Sequence, residues 1–127
     1  MRVKLFFKLL PLLLFSMVVK ADIQQITPQL LLTLLQKQQA PIILDVRSQQ
    51  EYQQGHIEGA INIAYDQLGS QSELLKDYKQ QPIVVYCRSG RRAQVAYQAL
   101  QQKGFTQLVD LQGHMNLWQQ KQYPLSK

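Results

Sequence analysis

Cysteine is almost missing from this chain: among 127 residues there is one, Cys87. A lone cysteine excludes an internal disulfide and the small stapled folds that depend on one. It equally excludes a self-contained Cys-x-x-Cys oxidoreductase, which needs a second thiol to resolve the first. What remains for Cys87 is a buried inert thiol, an intermolecular disulfide or a reactive nucleophile. Long apolar runs are scarce too. The longest covers residues 9–19, and as a helix it would span about 16 Å against about 30 Å of bilayer hydrocarbon. Extending it back to Leu5 brings Lys8 inside, and Pro11 weakens it as a helix. An uncleaved membrane anchor is the poorer reading of this segment.

The run is preceded by the basic start Met1-Arg2-Val3-Lys4 and followed by Val19-Lys20-Ala21. That is the layout of a secretory signal peptide, with cleavage expected before Asp22. The expected organisation is a leader over residues 1–21 and one domain over residues 22–127.

Acidic residues are few, 8 against 14 basic, but the leader accounts for much of the imbalance. Arg2, Lys4, Lys8 and Lys20 all belong to it, which leaves ten basic residues against 8 acidic and a net of +2. Three of those ten, Arg88, Arg91 and Arg92, stand beside Cys87. The positive charge is thus concentrated at one spot and points to a small anion as partner, not to nucleic acid or, once the leader is gone, a membrane. Internal repeats and linkers are absent, and the 23 glutamines are spread through the chain as uncharged surface.

The remaining pattern is one of alternating strands and helices. Thr27-Pro28 reads as an N-cap with proline at the first helical position, and Leu30, Leu31, Leu34 and Leu35 mark one face of a helix ending before Pro41. Ile42-Ile43-Leu44 is a short buried strand. Ser48-Gln49-Gln50-Glu51 is a capping box opening a short helix that Gly55 stops. Residues 60–63 read as a strand and 73–78 as a weaker helix ended by Pro82. Ile83-Val84-Val85-Tyr86 is the clearest strand. A helix is predicted over 92–103, with Val95, Ala96, Ala99 and Leu100 on its inner face and Gly104 closing it. A last strand follows over 108–111 and a short helix over 115–120. Strands apolar on both faces and separated by helices imply an α/β domain, a small parallel sheet with helices on both faces.

Cys87 directly follows the best strand, and a helix begins about five residues later. Ligands of open α/β sheets bind beyond the carboxyl ends of the strands, where a strand–loop–helix turn aims backbone N–H groups into an anion site. Here the loop is Cys87-Arg88-Ser89-Gly90-Arg91-Arg92, with Gly90 allowing a tight curl and three arginines adding charge. Positive charge and a helix N-terminus both favour thiolate over thiol. Cys87 is read as a reactive nucleophile.

This loop resembles the active-site loop of rhodaneses, in the thiosulfate-using form Cys-Arg-x-Gly-x-Arg. Upstream, Leu44-Asp45-Val46-Arg47, Glu51-Tyr52 and Gly55-His56-Ile57-Glu58-Gly59-Ala60-Ile61-Asn62-Ile63 resemble the family's N-terminal signature; downstream, Gly113 with Trp118 resembles its closing motif. The likeness runs from Ile42 to Trp118, and the short exported form resembles the periplasmic single-domain rhodaneses. It implies that Cys87 attacks the outer sulfur of thiosulfate, releases sulfite and carries a persulfide to a thiol or cyanide acceptor. It further implies that the backbone at Ser89 and Gly90 holds the persulfide while Arg88, Arg91 and Arg92 bind the donor. No metal or organic cofactor is implied, because the cysteine itself carries the group, and a monomer is expected.

One departure stands out. The family usually has Gly-Gly before the final helix, and here the second glycine is His114. His114 is expected to be a surface loop residue without a role, the alternative being one that narrows the site or contacts an anion. His56 is expected to be structural, Asp45, Arg47 and Glu51 to form a polar network fixing the loop after the first core strand, and Trp118 to anchor the core. Two other classes compete. The related cysteine phosphatases and arsenate reductases need five residues between cysteine and arginine, a spacing that here reaches Ala93. A non-catalytic persulfide relay for a partner protein also fits a thiol without a resolving partner.

The leader reading has a direct check. N-terminal sequencing of the exported protein should begin at Asp22, and membrane-bound protein beginning at Met1 would refute it.

Overall fold

The computed structural model describes Pro11 and residues 23–127, so the expected cleavage site and all of the leader but Pro11 lie outside the described residues. Five parallel strands form one sheet in the order β1-β5-β4-β2-β3. These are β1 (Gln24–Ile26), β2 (Ile42–Asp45), β3 (Ile61–Asn62), β4 (Ile83–Tyr86) and β5 (Leu108–Leu111). The helices are α1 (Pro28–Gln36), α2 (Gln49–Gln54), α3 (Leu68–Gln71), α4 (Arg91–Gln102) and α5 (His114–Gln120), with 3-10 turns at Tyr65–Gln67 and Ser72–Tyr78. No helix among the described residues is long and apolar enough to cross a membrane.

The pleat of β4 divides the core in two, because successive side chains point to opposite faces. Ile83 and Val85 pack with Leu68 of α3 and with Ala93, Ala96, Tyr97 and Leu100 of α4, and Cys87 continues this face. Val84 and Tyr86 pack on the other face with Leu31 of α1 and with Met115 and Trp118 of α5. Trp118 is the anchor expected of it: its ring is buried and Nε1–H donates to Pro124 O at 2.9 Å. The local signals formed as read. Thr27 accepts the Leu30 N–H, both halves of the Ser48–Glu51 box are present, and Gly104 (φ +91°) follows the last residue of the α4 cap.

Several readings are corrected. The edge strand β1 was not expected, since Gln24 and Gln25 are exposed and only Ile26 is buried, so no apolar pattern marks it. Residues 72–78 form a 3-10 turn and not an α-helix, and the 60–63 strand pairs only at Ile61–Asn62. The main helix begins at Arg91, one residue early. Val95 is 49% exposed, and its inner-face place is taken by Ala93 and Tyr97; Leu30 is likewise exposed while Leu31 is buried.

A buried ion pair at the carboxyl end of β2 is joined to the end of β4 through the Tyr86 hydroxyl. Asp45 is fully buried and accepts from the Arg47 backbone N–H (2.9 Å), from Arg47 Nη2 (2.7 Å) and from the Tyr86 hydroxyl (2.7 Å). Arg47 donates onward to Gly55 O at 2.7 Å, and the Ile57 N–H donates to the Tyr86 oxygen at 3.1 Å. Burial, with the carboxylate of Asp45 next to it, pushes the Tyr86 phenol far above its ordinary pKa and keeps it a donor. The polar network expected of Asp45 and Arg47 is this one. Removing the carboxylate strands a buried guanidinium, which costs about 3–5 kcal/mol. Asp45→Ala should lose that much in urea unfolding, and a midpoint equal to the wild type would show that the pair does not hold these strand ends.

Candidate active site

Cys87 lies at the carboxyl end of β4, where the chain leaves the sheet. Four residues, Cys87 to Gly90, make the turn before α4 starts, and Gly90 takes φ +115°, a conformation that side chains disfavour. A Cβ there would also lie 3.0 Å from His114 Nε2, so backbone conformation and space both favour glycine. The turn brings the Gly90 N–H to 3.0 Å from Cys87 Sγ, and the Ala93 N–H in the first turn of α4 also faces the sulfur. These are the donors expected at a helix N-terminus.

The outer side of the loop is held by α5. The N–H groups of Met115 and Asn116, which have no partner within their own helix, donate to Cys87 O and Arg88 O, each at 3.0 Å. Gly113 makes this approach possible at φ +73°, with no room for a side chain, since a Cβ would sit 2.3 Å from that of Leu117.

His114 is where the structure departs furthest from expectation. It is no surface loop residue: it is 5% exposed and its ring covers the cysteine loop. Nδ1 accepts the Cys87 backbone N–H at 3.1 Å, and Nε2 stands 3.2 Å from Asp110 Oδ1. Asp110 also accepts a short hydrogen bond from the Tyr97 hydroxyl of α4. An amide donated to Nδ1 requires an unprotonated Nδ1, which places the ring proton on Nε2, aimed at Asp110.

Two effects compete at Cys87. Burial pushes the thiol up. The neighbouring His114 ring and the N–H groups of Ala93 and Gly90 push it down and win, lowering it from 9.0 to about 7. At that value about half the cysteine is thiolate at pH 7, against about 1% for a thiol at 9.0. Burial likewise disfavours the His114 imidazolium, but Asp110 and the Cys87 sulfur favour it more and pull the ring up to about 9. Protonating Nδ1 would remove the acceptor of the Cys87 amide, so the amide contact opposes that pull.

The three arginines do not act alike. Arg92 is committed to Glu51 by two hydrogen bonds, of 2.6 and 3.0 Å. Glu51 therefore ties α2 to the cysteine loop instead of joining the Asp45–Arg47 pair, a change from the single network expected. Arg88 is exposed and lines an open polar cleft of about 230 Å³ with Arg47, Glu51, Gln54, Gly55, Met115 and Gln119. Arg91 and Ser89 are exposed. His56 is structural, as expected: its backbone pairs with Ser126 and its ring stacks on Tyr52. Among the described residues, no group of three His, Cys, Asp or Glu side chains is placed to hold a metal ion.

Sequence reasoning missed His114, Asp110 and Tyr97 as neighbours of the thiol. The signal for the first was present in the substitution of histidine for the second glycine. Asp110 and Tyr97 are joined to it only by the packing of β5 beside β4 and of α4 over both.

The Arg92 hydrogen bond holds the Glu51 carboxyl at about 2, below its ordinary 4.5. A depressed carboxyl stabilises the fold above its unfolded pKa and stops doing so as pH falls through the folded one. Glu51→Gln should cost about 1–2 kcal/mol at pH 7 for this partly exposed bidentate pair. That difference should shrink by about half or more by pH 3. Urea unfolding at both pH values checks it, and an unchanged gap would place the stabilisation elsewhere.

The family described as Rhodanese-like domain matches the chain over residues 27–121. A thiosulfate sulfurtransferase of Coxiella burnetii, GlpE, is 34% identical over 84 residues, which cover 66% of this chain and 77% of the relative. A tRNA uridine(34) hydroxylase of Cronobacter sakazakii is 33% identical over 76 residues, covering 57% of this chain and 22% of that longer protein. Among solved structures, a rhodanese-related protein of Thermoplasma volcanium is similar at a TM-score of 0.67 and 28% identity, covering 81% of this chain and 97% of the other.

Proposed function

Because the chain belongs to the rhodanese-like domain family, we propose that it is a thiosulfate sulfurtransferase that carries the transferred sulfur on Cys87. The observation that carries this reading is the loop itself: a cysteine directly after β4 whose sulfur receives the Gly90 N–H at 3.0 Å and whose pKa is lowered to about 7. Such a thiolate is a nucleophile near neutral pH. The similarity to a relative named as a thiosulfate sulfurtransferase supports thiosulfate as donor.

In the first half-reaction the Cys87 thiolate bonds to the outer sulfur of thiosulfate. The donor's S–S bond breaks, and sulfite leaves with the electron pair. In the second, a thiol or cyanide takes the outer sulfur and Cys87 departs as thiolate. The loop N–H groups that now face Sγ are the donors available to a persulfide. Arg88 supplies charge at the cleft that no partner among the described ion pairs neutralises, whereas Arg92 is paired with Glu51. A dianion is therefore drawn in by Arg88, while Arg92 keeps Glu51 from repelling it. The leader read in residues 1–21 supports placing this reaction in the periplasm.

Thiosulfate should make the purified protein heavier by one sulfur atom, with sulfite released in step and cyanide reversing the gain. Intact-mass measurement beside a sulfite assay reads both. A Cys87→Ser variant that releases sulfite at the wild-type rate would rule the role out.

A further inference from the structure

We propose that the polar cleft beside the cysteine loop is a carboxylate site, and that the thiol which takes the sulfur from Cys87 is a small mercapto acid held there by its carboxylate. The inference deepens the sulfurtransferase reading and rests on it for the sulfur step, while the carboxylate site stands on its own geometry.

The unused nitrogen of Arg47 supplies the first argument. This side chain is only 6% exposed. Its Nε and Nη2 are committed to Asp45 and to Gly55 O. Among the described residues nothing accepts from Nη1, yet no fully buried side-chain nitrogen lacks a partner, so Nη1 is the part that reaches the surface. Arg47 lines the cleft there. A guanidinium gripped by a buried carboxylate presents its remaining N–H groups at fixed geometry, which lowers the entropy lost when an anion binds.

Charge supplies the second. Of the ionised groups on the cleft, Arg47 is balanced by Asp45 and Glu51 by Arg92. Arg88 has no ion-pair partner among the described residues, so the cleft carries its positive charge in excess. The exposed amides of Gln54 and Gln119 complete the lining with neutral groups that donate to a carboxylate without repelling it. A single carboxylate matches that excess.

Size and place supply the third. The cleft holds about 230 Å³, against about 30 Å³ for one water, so it takes an acid with several atoms beyond its carboxylate. Arg88 follows Cys87 directly, and Met115, also on the cleft, donates its N–H to Cys87 O at 3.0 Å. An acid bound here lies beside the loop that carries the sulfur. Sulfite has left before the acceptor arrives, so the charge that drew the donor serves the acceptor in turn.

The step balances without any added oxidant or reductant. The acceptor thiol loses its proton to water, and its thiolate bonds to the outer sulfur of the Cys87 persulfide. The bond from Sγ to that sulfur breaks, and Cys87 keeps the electron pair as thiolate. The acid leaves as its own persulfide.

The test starts from protein loaded with thiosulfate and freed of excess donor, so that only the second half-reaction is read. It is mixed with 3-mercaptopropionate or with the methyl ester of that acid, and loss of the outer sulfur is followed by intact mass. Arg88→Gln removes the excess charge, and Gln119→Glu sets a carboxylate in the cleft. Each should cut the acid-to-ester rate ratio by about tenfold or more. Comparing that ratio between proteins cancels the thiols' own reactivities. Arg47 is kept, because it holds the buried Asp45. Propionate, which has the carboxylate and no thiol, should shift the side-chain amide signals of Gln54 and Gln119 in a ¹⁵N spectrum, and methyl propionate should not. A ratio unchanged in either variant, or amide signals that ignore propionate, overturns the proposal. If thiosulfate never loads Cys87, the sulfurtransferase reading fails and the acceptor assignment with it, and the propionate titration alone decides the carboxylate site.

Discussion

The carboxylate of Asp45 fixes the end of the sheet on which the site is built. A charge with no exposure is tolerable only if its oxygens are satisfied, and here one guanidinium, one amide and one phenol do so. Those donors come from the loop after β2 and from the last residue of β4. Tyr86 is in turn fixed from both sides, giving its proton to Asp45 and accepting the N–H of Ile57. Cys87 is the next residue. Its backbone therefore leaves a strand end that cannot slide or twist without exposing an unpaired buried ion.

From that anchor the loop is closed by contacts from three further directions. Glu51 reaches from α2 to Arg92, the first turn of α5 donates two N–H groups to the loop carbonyls, and His114 covers Gly90. The result alters the electrostatic account of the cysteine. Clustered arginines suggested a thiolate stabilised by charge, yet Arg92 is paired and Arg88 and Arg91 lie toward water, where their fields are screened. Short hydrogen bonds inside a desolvated loop act more strongly on the sulfur than guanidinium groups at its rim. In the reaction proposed above, charge would act on the donor at the rim, while hydrogen bonds act on the sulfur itself.

What could be read beforehand divides along the same line. The capping box at Ser48, the proline start of α1, the β4 run and the position of Cys87 behind it are local patterns, each decided within a few residues. The strand β1 is held by pairing with β5, more than eighty positions away, and two exposed glutamines carry no trace of it. Val95 and Tyr97, two positions apart, lie on nearly opposite sides of α4, and it is Tyr97 that is buried, with its hydroxyl on Asp110 of β5. Of the site itself, the cysteine and its loop were legible and the His114–Asp110–Tyr97 chain was not. A histidine following glycine before a short helix reads as surface unless the left-handed turn that folds it over Gly90 is known.

The same packing bears on the phosphatase alternative. That chemistry asks for an arginine after five intervening residues, and the position is occupied by Ala93. Ala93 is 0% exposed, faces the core beside Val85 and Leu100, and contributes its N–H, not a side chain, to the sulfur. A long charged side chain there would enter a filled core instead of reaching over the loop. Above the loop, the His114 ring lies against Gly90. The proposed sulfur transfer asks for no side chain at the Ala93 position, whereas phosphatase chemistry asks for an arginine that the filled core excludes.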